Sequence, residues 1–418
     1  MINSEPTAKL SRNEGLKERS PLLAGTISRA LVDASADHFN EDDYEFLKFH
    51  GVYQQDDRDL RKVAKHFMLM VRTKLPGGVL NAAQYLVCDD LSSLYGNNTM
   101  RITTRQDFQF HGVLKGNLRA TIRSLNQVLV TTIGACGDVV RNVMASPTPA
   151  DSPLGERVLA QARQLSEALV PKTTAYPSIW LEGKELDLNA ESATAAVDPL
   201  YGKTYLPRKF KIAFATPPLN DVDIYTHDLG FVVMTDGGDL VGYNILAGGG
   251  LGMSHGNTQT FPRLADVIGF VGPDHLEAVT RAAVTIHRDF GDRTNRKHAR
   301  LKYVIQERGV EWFRSELARR ADIELAPARP FQFSAQGDRL GWGRQTNGDL
   351  FLGLFVENGR VRDTEGYQLD EAHPWIIGVY PGDLQSTPLI FIFGNIIRSG
   401  AETWIEVGFP RYEKLEFN

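Results

Sequence analysis

Cysteine is nearly absent: Cys88 and Cys136 are the only two among 418 residues. Two thiols cannot make a disulfide-stapled scaffold, and alone they cannot supply four thiolates to an iron–sulfur cluster. Neither has a C-x-x-C partner, and no H-E-x-x-H occurs among the ten histidines, so a self-contained zinc site is disfavoured. No glycine-rich stretch ends in Gly-Lys-Ser/Thr. The run AGGGLG (247–252) does not fit G-x-G-x-x-G in register. Long apolar runs are missing too: the longest, around Pro388–Ile397, is too short to span a bilayer. The polar opening carries no apolar secretory core, so the expected location is the cytoplasm. Net charge is only −5, from 46 basic and 51 acidic residues, unlike a simple polybasic nucleic-acid binder.

What is present is the composition of a folded protein of two or three domains, 42% hydrophobic and 23% charged. Residues 1–24 read as a polar, extended or mobile arm. Segment 66–76 reads as a strand, 81–96 as a helix stopped by Gly96, 100–114 as a strand, and 116–130 as a helix. A further helix is expected through Asp138 to Met144. After a Pro/Ser-rich connector (146–153) come a helix over 154–170, short strands over 176–270, and helices over 276–291 and 310–321. Residues 338–361 predict a hairpin turning at Asn347-Gly348, and 384–396 a second apolar strand. The first and last units share a loosely similar order of elements, which suggests two half-domains of one design. The expected division is 1–64 (arm and helix), 65–150, 151–322 and 323–418.

Positive charge is segregated. Residues 101–145, 201–211 and 287–302 each carry a net +4, whereas the rest of the chain is strongly acidic. Such segregation suggests a densely charged anionic ligand. Arg101, Thr103 and Arg105 alternate along the expected strand and would share one face, as would Lys209 and Lys211; Arg72 ends another strand. The alternative is a solvent-facing basic strand. Arginine's fixed donor fork suits carboxylates and sulfur oxyanions, and lysine supplies compact charge and protons. His111 reads as a packing histidine or a site residue. Asp56, Asp57 and Asp59 read as a solvated turn rather than a cation site. Gly248, Gly249 and Gly250 form a plain turn or a close backbone approach to a flat ligand. Cys88 is expected in the core and Cys136 beside small residues.

The strings FHGVYQQDDRDLR, KLPGGVL, RITTRQDFQFHGVLKGNL, GDVVRNVM, TYLPRKFKIAF, PPLNDVDIYTHDLGF, GYNILAGGGLGMSHGN and DRTNRKHARLKY occur in this order. Together they resemble the siroheme-containing nitrite/sulfite reductase family, and the first leans toward its assimilatory sulfite reductase hemoproteins. The resemblance runs from about residue 25 to about 365. It implies an α+β fold, with ferredoxin-like half-domains flanking a mixed α/β siroheme-binding domain. It implies siroheme and a 4Fe-4S cluster as cofactors, and six-electron reduction of sulfite to sulfide in sulfate assimilation. It places the substrate-binding cations at Arg72, Arg141, Lys209 and Lys211. It places siroheme-lining positions at Arg101, Thr103, Arg105, Gln109, His111, Asn142 and Arg300. No protein ligand to a metal is assigned within this sequence.

One departure stands beside the match. In the family the cluster cysteines form Cys-x5-Cys and Cys-x3-Cys in a last domain; here no cysteine follows Cys136. The expectation is therefore an incomplete chain whose cluster thiolates would come from a separate polypeptide. The electron donor would be an NADPH flavoprotein or a ferredoxin. The alternatives are an inactive truncated remnant that binds siroheme or an anion, a related nitrite reductase, and a nucleic-acid or anion-binding module using the basic runs. The last is disfavoured because no stacking aromatics accompany those runs.

Overall fold

The computed structural model describes residues 9–20, 22–57, 60–148, 152–172, 179–181, 184–186, 197–346, 348, 350–353, 356, 359–362, 389–391 and 396–399. Of the arm expected over 1–24, residues 9–20 and 22–24 are anchored rather than mobile, and the rest lies outside the described residues. Helix α1 (Arg12–Arg19) buries Leu16, and the following turn buries Leu23 completely. The polar character of this segment hid two apolar anchors, and its buried charges find partners described below. Helix α2 (Ile27–Val32) follows. Helix α3 (Glu41–Leu47) starts at Asn40, whose side chain accepts from the backbone N–H groups of Asp42 and Asp43 at 3.0 and 2.8 Å.

Strands β1 (Val52–Asp56) and β2 (Phe67–Arg72) open the first sheet. β3 (Val79–Asn81) leads into α4 (Ala82–Leu94). Asn81 and Gln84 cap that helix reciprocally, at 2.9 and 3.0 Å, a device that contributes about 1 kcal/mol. The strand expected over 100–114 is in fact two, β4 (Thr99–Ile102) and β5 (Phe108–Val113), joined by a tight turn and paired antiparallel. The Thr103 hydroxyl accepts from the N–H groups of Arg105 and Asp107, both at 3.2 Å, and Gln106 takes a left-handed φ of 56°. A side chain that satisfies the backbone locally competes with the ladder, so the alternation of residue types ran straight through a turn. Arg105 therefore reaches its position from the turn, not along the face shared with Arg101.

Helix α5 (Leu118–Gln127) is followed by a second correction. The segment expected as helix is strand β6 (Val140–Met144), buried along its whole length, as Val140 and Val143 favour. Helix α6 (Pro153–Ala168) is N-capped by Ser152. β7 (Ile179–Leu181) and β8 (Lys184–Leu186) pair with each other. β9 (Phe210–Ala215), β10 (Leu219–Asn220), β11 (Leu229–Asp236), β12 (Asp239–Ala247) and β13 (Asp266–Val271) follow. The second sheet has the order β13-β12-β11-β9-β6, with β9 parallel to both of its neighbours. Helices α7 (Leu276–Phe290), α8 (Leu301–Arg308) and α9 (Val310–Ala321) come next. α6 packs on β6 and β9, α7 packs on α9, and α9 packs on β13.

β14 (Ala335–Gln336) pairs with β10. β15 (Gly341–Arg344) and β16 (Leu350–Gly353) form the expected hairpin, although Asn347 lies outside the described residues. β17 (Arg360–Arg362), β18 (Leu389–Phe391) and β19 (Ile396–Ser399) are the last elements among the described residues; of the strand expected over 384–396, residues 384–388 and 392–395 also lie outside the described residues. The outer sheets exchange strands. β17 joins the first, in the order β1-β2-β5-β4-β17, and β3 joins the third, in the order β15-β16-β19-β18-β3.

Candidate functional site

The register of the first sheet places one row of polar residues across four strands. Arg72 pairs with Gln109, Gln109 with Arg101, and Arg101 with Arg360. Cross-strand partners share a face, so this face presents three arginines and a glutamine side by side. With its amide oxygen turned toward Arg72, Gln109 accepts from Arg72 Nε at 2.9 Å and from Nη2. The far side of that amide lies 3.3 Å from His111 Nε2. Burial pushes the His111 pKa down to about 4, aided by the charges of Arg360, Arg101 and Arg72, so this imidazole is neutral at pH 7. Arg360 was not among the sequence candidates: it lies, with Arg362 two residues on, far along the chain from the other three, and only strand exchange brings it here.

The second sheet supplies Arg141 on β6, and Lys209 and Lys211 at the start of β9, whose strands pair in parallel. Arg141 is buried and bends back onto its own loop. Its Nε and Nη2 donate to Gly137 O at 3.0 and 2.9 Å, and Nη1 donates to Ala135 O at 3.2 Å. Burial pulls Lys209 down to about 7, with Arg141, Arg300 and Arg208 adding to the effect. Burial also pulls Lys211 down to about 7, here with Arg105, Lys209 and Arg300. Arg72 and Arg141 both act on Tyr53, whose phenol is pushed up by burial and which hydrogen-bonds with Cys136. The cations expected from separate runs thus converge.

Arg105 is buried between the sheets. Its Nη1 donates to Ile212 O at 3.0 Å and its Nη2 to His227 Nδ1 at 2.8 Å. Burial and the Arg105 charge hold the His227 pKa well below the usual imidazole value. Neutral His227 therefore accepts at Nδ1 and donates from Nε2 to Val222 O at 2.7 Å. Arg105 itself is pulled down to about 9 by burial, and its Nε has no partner among the described residues. The same holds for Asn142 Oδ1, although the Asn142 amide nitrogen donates to Leu75 O at 2.6 Å and Arg105 O at 3.0 Å. Thr103 shapes the turn through its hydroxyl.

Arg300 is held by Asp228, with Nε to Oδ1 at 2.9 Å and Nη2 to Oδ2 at 2.7 Å. The same carboxylate accepts from the Lys211 N–H at 2.9 Å. Asp228 is fully buried. Sequence reading missed it, as it missed Asp107, whose carboxyl burial pushes up to about 7 beside Arg72, Arg105 and Lys74. A lone acid between strands gives no signal until the chain folds.

Several candidates prove structural. Gly249 packs so tightly on the segment before Asp228 that an added Cβ would lie 2.6 Å from His227 O, and Gly248 N donates to Asp228 O at 2.9 Å. Gly249 thus admits the protein's own backbone, whereas Gly248 faces the side chains of Arg263 and Ile305 and Gly250 those of Arg300 and Lys302. Most of the basic run 287–302 is paired internally: Arg288 with Asp289, Arg293 with Glu14, Arg296 with Asp138, and Arg300 with Asp228. Lys302, 1% exposed, donates to the carbonyls of Gly250 and Gly252 at 3.0 and 2.8 Å. The run is therefore mostly internal scaffolding rather than an exposed stripe. Asp56 accepts from Arg61 at 2.7 Å, and Cys88 is a core residue. Among the described residues no group of three or more His, Cys, Asp or Glu could hold a metal ion. No described helix is long and apolar enough to cross a membrane.

The lysines carry a pH signature of two opposite signs. Their folded pKa values lie near 7, below the unfolded value of 10.5. Between those limits the unfolded chain binds more protons, so these groups make stability rise as pH rises from 7 to about 10.5. Affinity for an anion runs the other way and falls as the lysines lose charge above pH 7. Urea midpoints and titrations with a small oxyanion across pH 6–10 should show the two trends diverging; parallel trends would exclude these lysines as the anion's partners.

Comparison with known proteins agrees with this arrangement. Residues 62–128 match the nitrite/sulfite reductase ferredoxin-like half domain, and residues 160–325 match the nitrite and sulphite reductase 4Fe-4S domain. The sulfite reductase (NADPH) hemoprotein beta-component of Myxococcus xanthus is 49% identical over 384 residues, covering 90% of this chain and 67% of that protein. Its counterpart from Oceanobacillus iheyensis is 45% identical over 391 residues, covering 92% and 67%. The structure of the Mycobacterium tuberculosis NirA protein superposes with a TM-score of 0.74 over 95% of this chain and 67% of that one; at 23% identity it shows the shared α+β fold. The chain belongs to the nitrite/sulfite reductase family of oxidoreductases, among the sulfite reductase hemoprotein beta-components.

Proposed function

We propose that this chain carries the siroheme and sulfite site of a sulfite reductase, and that Arg72, Arg141, Lys209 and Lys211 bind the substrate anion. The observation that carries this reading is the convergence of those four cations, with two lysines held near pKa 7 by burial and by their cationic neighbours. Packing like charges together disfavours the apo protein unless a polyanion compensates them. The residues present also fit the eight carboxylates of siroheme. Arg101, Gln109 and Arg360 form one polar row with Arg72, His111 lies beside Gln109, and Arg105 and Asn142 each bury one polar atom with no partner among the described residues. Together with Thr103 and Arg300, these would hold the tetrapyrrole.

When bound, siroheme supplies the redox-active iron at which electrons reach sulfur. The chain's own residues do the rest. Six electrons and seven protons convert sulfite into hydrosulfide and three waters. Arg141 and Arg72 orient sulfite oxygens through the terminal N–H groups that their bonds to Gly137, Ala135 and Gln109 leave over. Lys209 and Lys211 stabilise charge on those oxygens and, being poised near neutrality, give up and regain protons as each oxygen leaves as water. A 4Fe-4S cluster does not fit the described residues. Cys88 lies in the core of α4, and Cys136 is engaged by Tyr53. On this reading the cluster's thiolates come from outside these residues. The electron donor would be an NADPH-linked component, as the relatives' names indicate, and the setting the cytoplasm. The division into an arm, two half-domains and a central siroheme unit belongs to the same reading.

The test is to load the full chain with siroheme and record its visible spectrum, then titrate sulfite and assay reduction with a chemical reductant. A bound pigment whose spectrum shifts with sulfite supports the site. No pigment, together with DNA binding that collapses with salt, would favour the nucleic-acid reading instead.

A further inference from the structure

A buried ion network lies behind the cationic site. Lys17 of α1 is 2% exposed, and its ammonium group is set among carboxylates. Its Nζ donates to Glu14 Oε1 at 2.6 Å and to Leu206 O at 2.9 Å, and it lies 3.5 Å from Asp138 Oδ2. Asp138 is 3% exposed and accepts both ends of the Arg296 fork, at 2.6 and 3.0 Å. Glu14, equally buried, pairs with Arg293. Arg293 Nη2 donates to Tyr205 O at 2.7 Å and to Arg288 O at 2.8 Å.

The network joins two short segments. One is 135–141, which ends in Arg141, and whose Gly137 carbonyl is the seat of that guanidinium. The other is 204–211, which ends in Lys209 and Lys211. Backbone bonds link the two directly: Leu206 N to Asp138 O at 3.0 Å, and Phe210 N to Val139 O at 3.1 Å. Lys17 touches both, through Leu206 O and the Asp138 carboxylate. A buried charge without its counter-charge costs far more than a surface one, so such a network holds its members in one arrangement. His287, neutral through burial, adds a further tie by donating from Nε2 to Arg208 O at 3.0 Å.

The geometry points to Lys17 and Asp138 as positioning residues that set the distance between Arg141 and the Lys209–Lys211 pair, so that helix α1 completes a substrate site it does not touch. The inference rests on the functional reading above for what the site binds, but not for the positioning itself. It also accounts for the anchoring of a polar N-terminal segment: its charges are used internally.

Hydrogen exchange of the full chain separates the outcomes. In Lys17→Met, exchange in peptides covering 135–141 and 204–211 should accelerate together, by about tenfold, because both segments lose one shared tether. Lys17→Arg, whose guanidinium can serve both carboxylates, should restore protection. In the siroheme-loaded chain, sulfite affinity should fall about tenfold in Lys17→Met and recover in Lys17→Arg. If Lys17→Met does not accumulate as folded protein, Lys17→Gln, which keeps a donor but no charge, is read in the same peptides. Faster exchange confined to 9–20 would overturn the inference. So would loosening of both segments with sulfite affinity unchanged. A wild-type chain that binds no sulfite counts against the functional reading alone, and the exchange result still decides the positioning.

Discussion

Replacing Lys211 by methionine should lower kcat/KM for sulfite about 10²–10³-fold in the siroheme-loaded chain, the usual loss when one preorganised donor is removed from developing charge. Methionine keeps most of the stem's volume, and the Lys211 N–H stays bonded to Asp228 in either variant because that bond is made by the backbone. The loss should therefore fall on chemistry, with siroheme content nearly unchanged and the urea midpoint at pH 7 raised rather than lowered, because the cost of burying this ammonium goes with it. Lys211→Arg gives a sharper reading. Arginine stays charged throughout the accessible range. It should restore part of the anion affinity and flatten its dependence on pH above 7, where Lys211 with a pKa of about 7 loses its proton. If Lys211→Met retained full turnover, or if Lys211→Arg kept the wild-type pH profile, proton delivery by this residue would be excluded.

Asp228→Asn should be the most damaging single change to the fold around the site. The carboxylate is fully buried and answers Arg300 with two charge-assisted bonds, and the isosteric amide cannot accept both. Arg300 would be left as a poorly compensated buried cation, which typically costs about 3–5 kcal/mol. Chemical unfolding measures the loss directly. A second consequence is electrostatic. Asp228 raises the pKa of both Lys209 and Lys211, so its removal lets both fall further. The pH above which sulfite affinity declines should therefore move down, in the opposite direction to any change produced by simple loosening. Adding Arg300→Met to Asp228→Asn removes the orphaned charge and should recover a large part of the stability, and it should also reverse the pH shift, because Arg300 itself lowers the pKa of both lysines. A loss below about 1 kcal/mol in the single variant would mean that Arg300 finds another counter-charge.

Local structure was legible where side chains and backbone agreed. α6, α7 and α9 fall within a residue or two of the apolar periodicity that announced them, and Gly96 does follow α4 and its C-terminal turn. The strand expected over 100–114 failed for a physical reason. The residue types alternate suitably, but Thr103 satisfies two backbone donors by itself and turns the chain. Asp138–Met144 failed because a short buried apolar run has no period to distinguish helix from strand. The site was legible in part. Arg72, Gln109 and Arg101 lie in one row, while Lys209 and Lys211 converge with Arg141, as basic residues in separated strings suggested. The large charge at 287–302 pointed to a ligand and is instead mostly internal pairing.

The order of residue types along the chain determined the cationic content, the two cysteines and the motif strings that mark the family. It did so because these are properties of composition and local order. Which cations face a ligand and which face a buried acid was decided only by the tertiary structure. Asp138, Asp228 and Glu14 lie 158, 72 and 279 residues from Arg296, Arg300 and Arg293. Charges that far apart in sequence compensate one another only after strands from distant segments pair. The same pairing brought Arg360 to the end of a row that no linear reading contains.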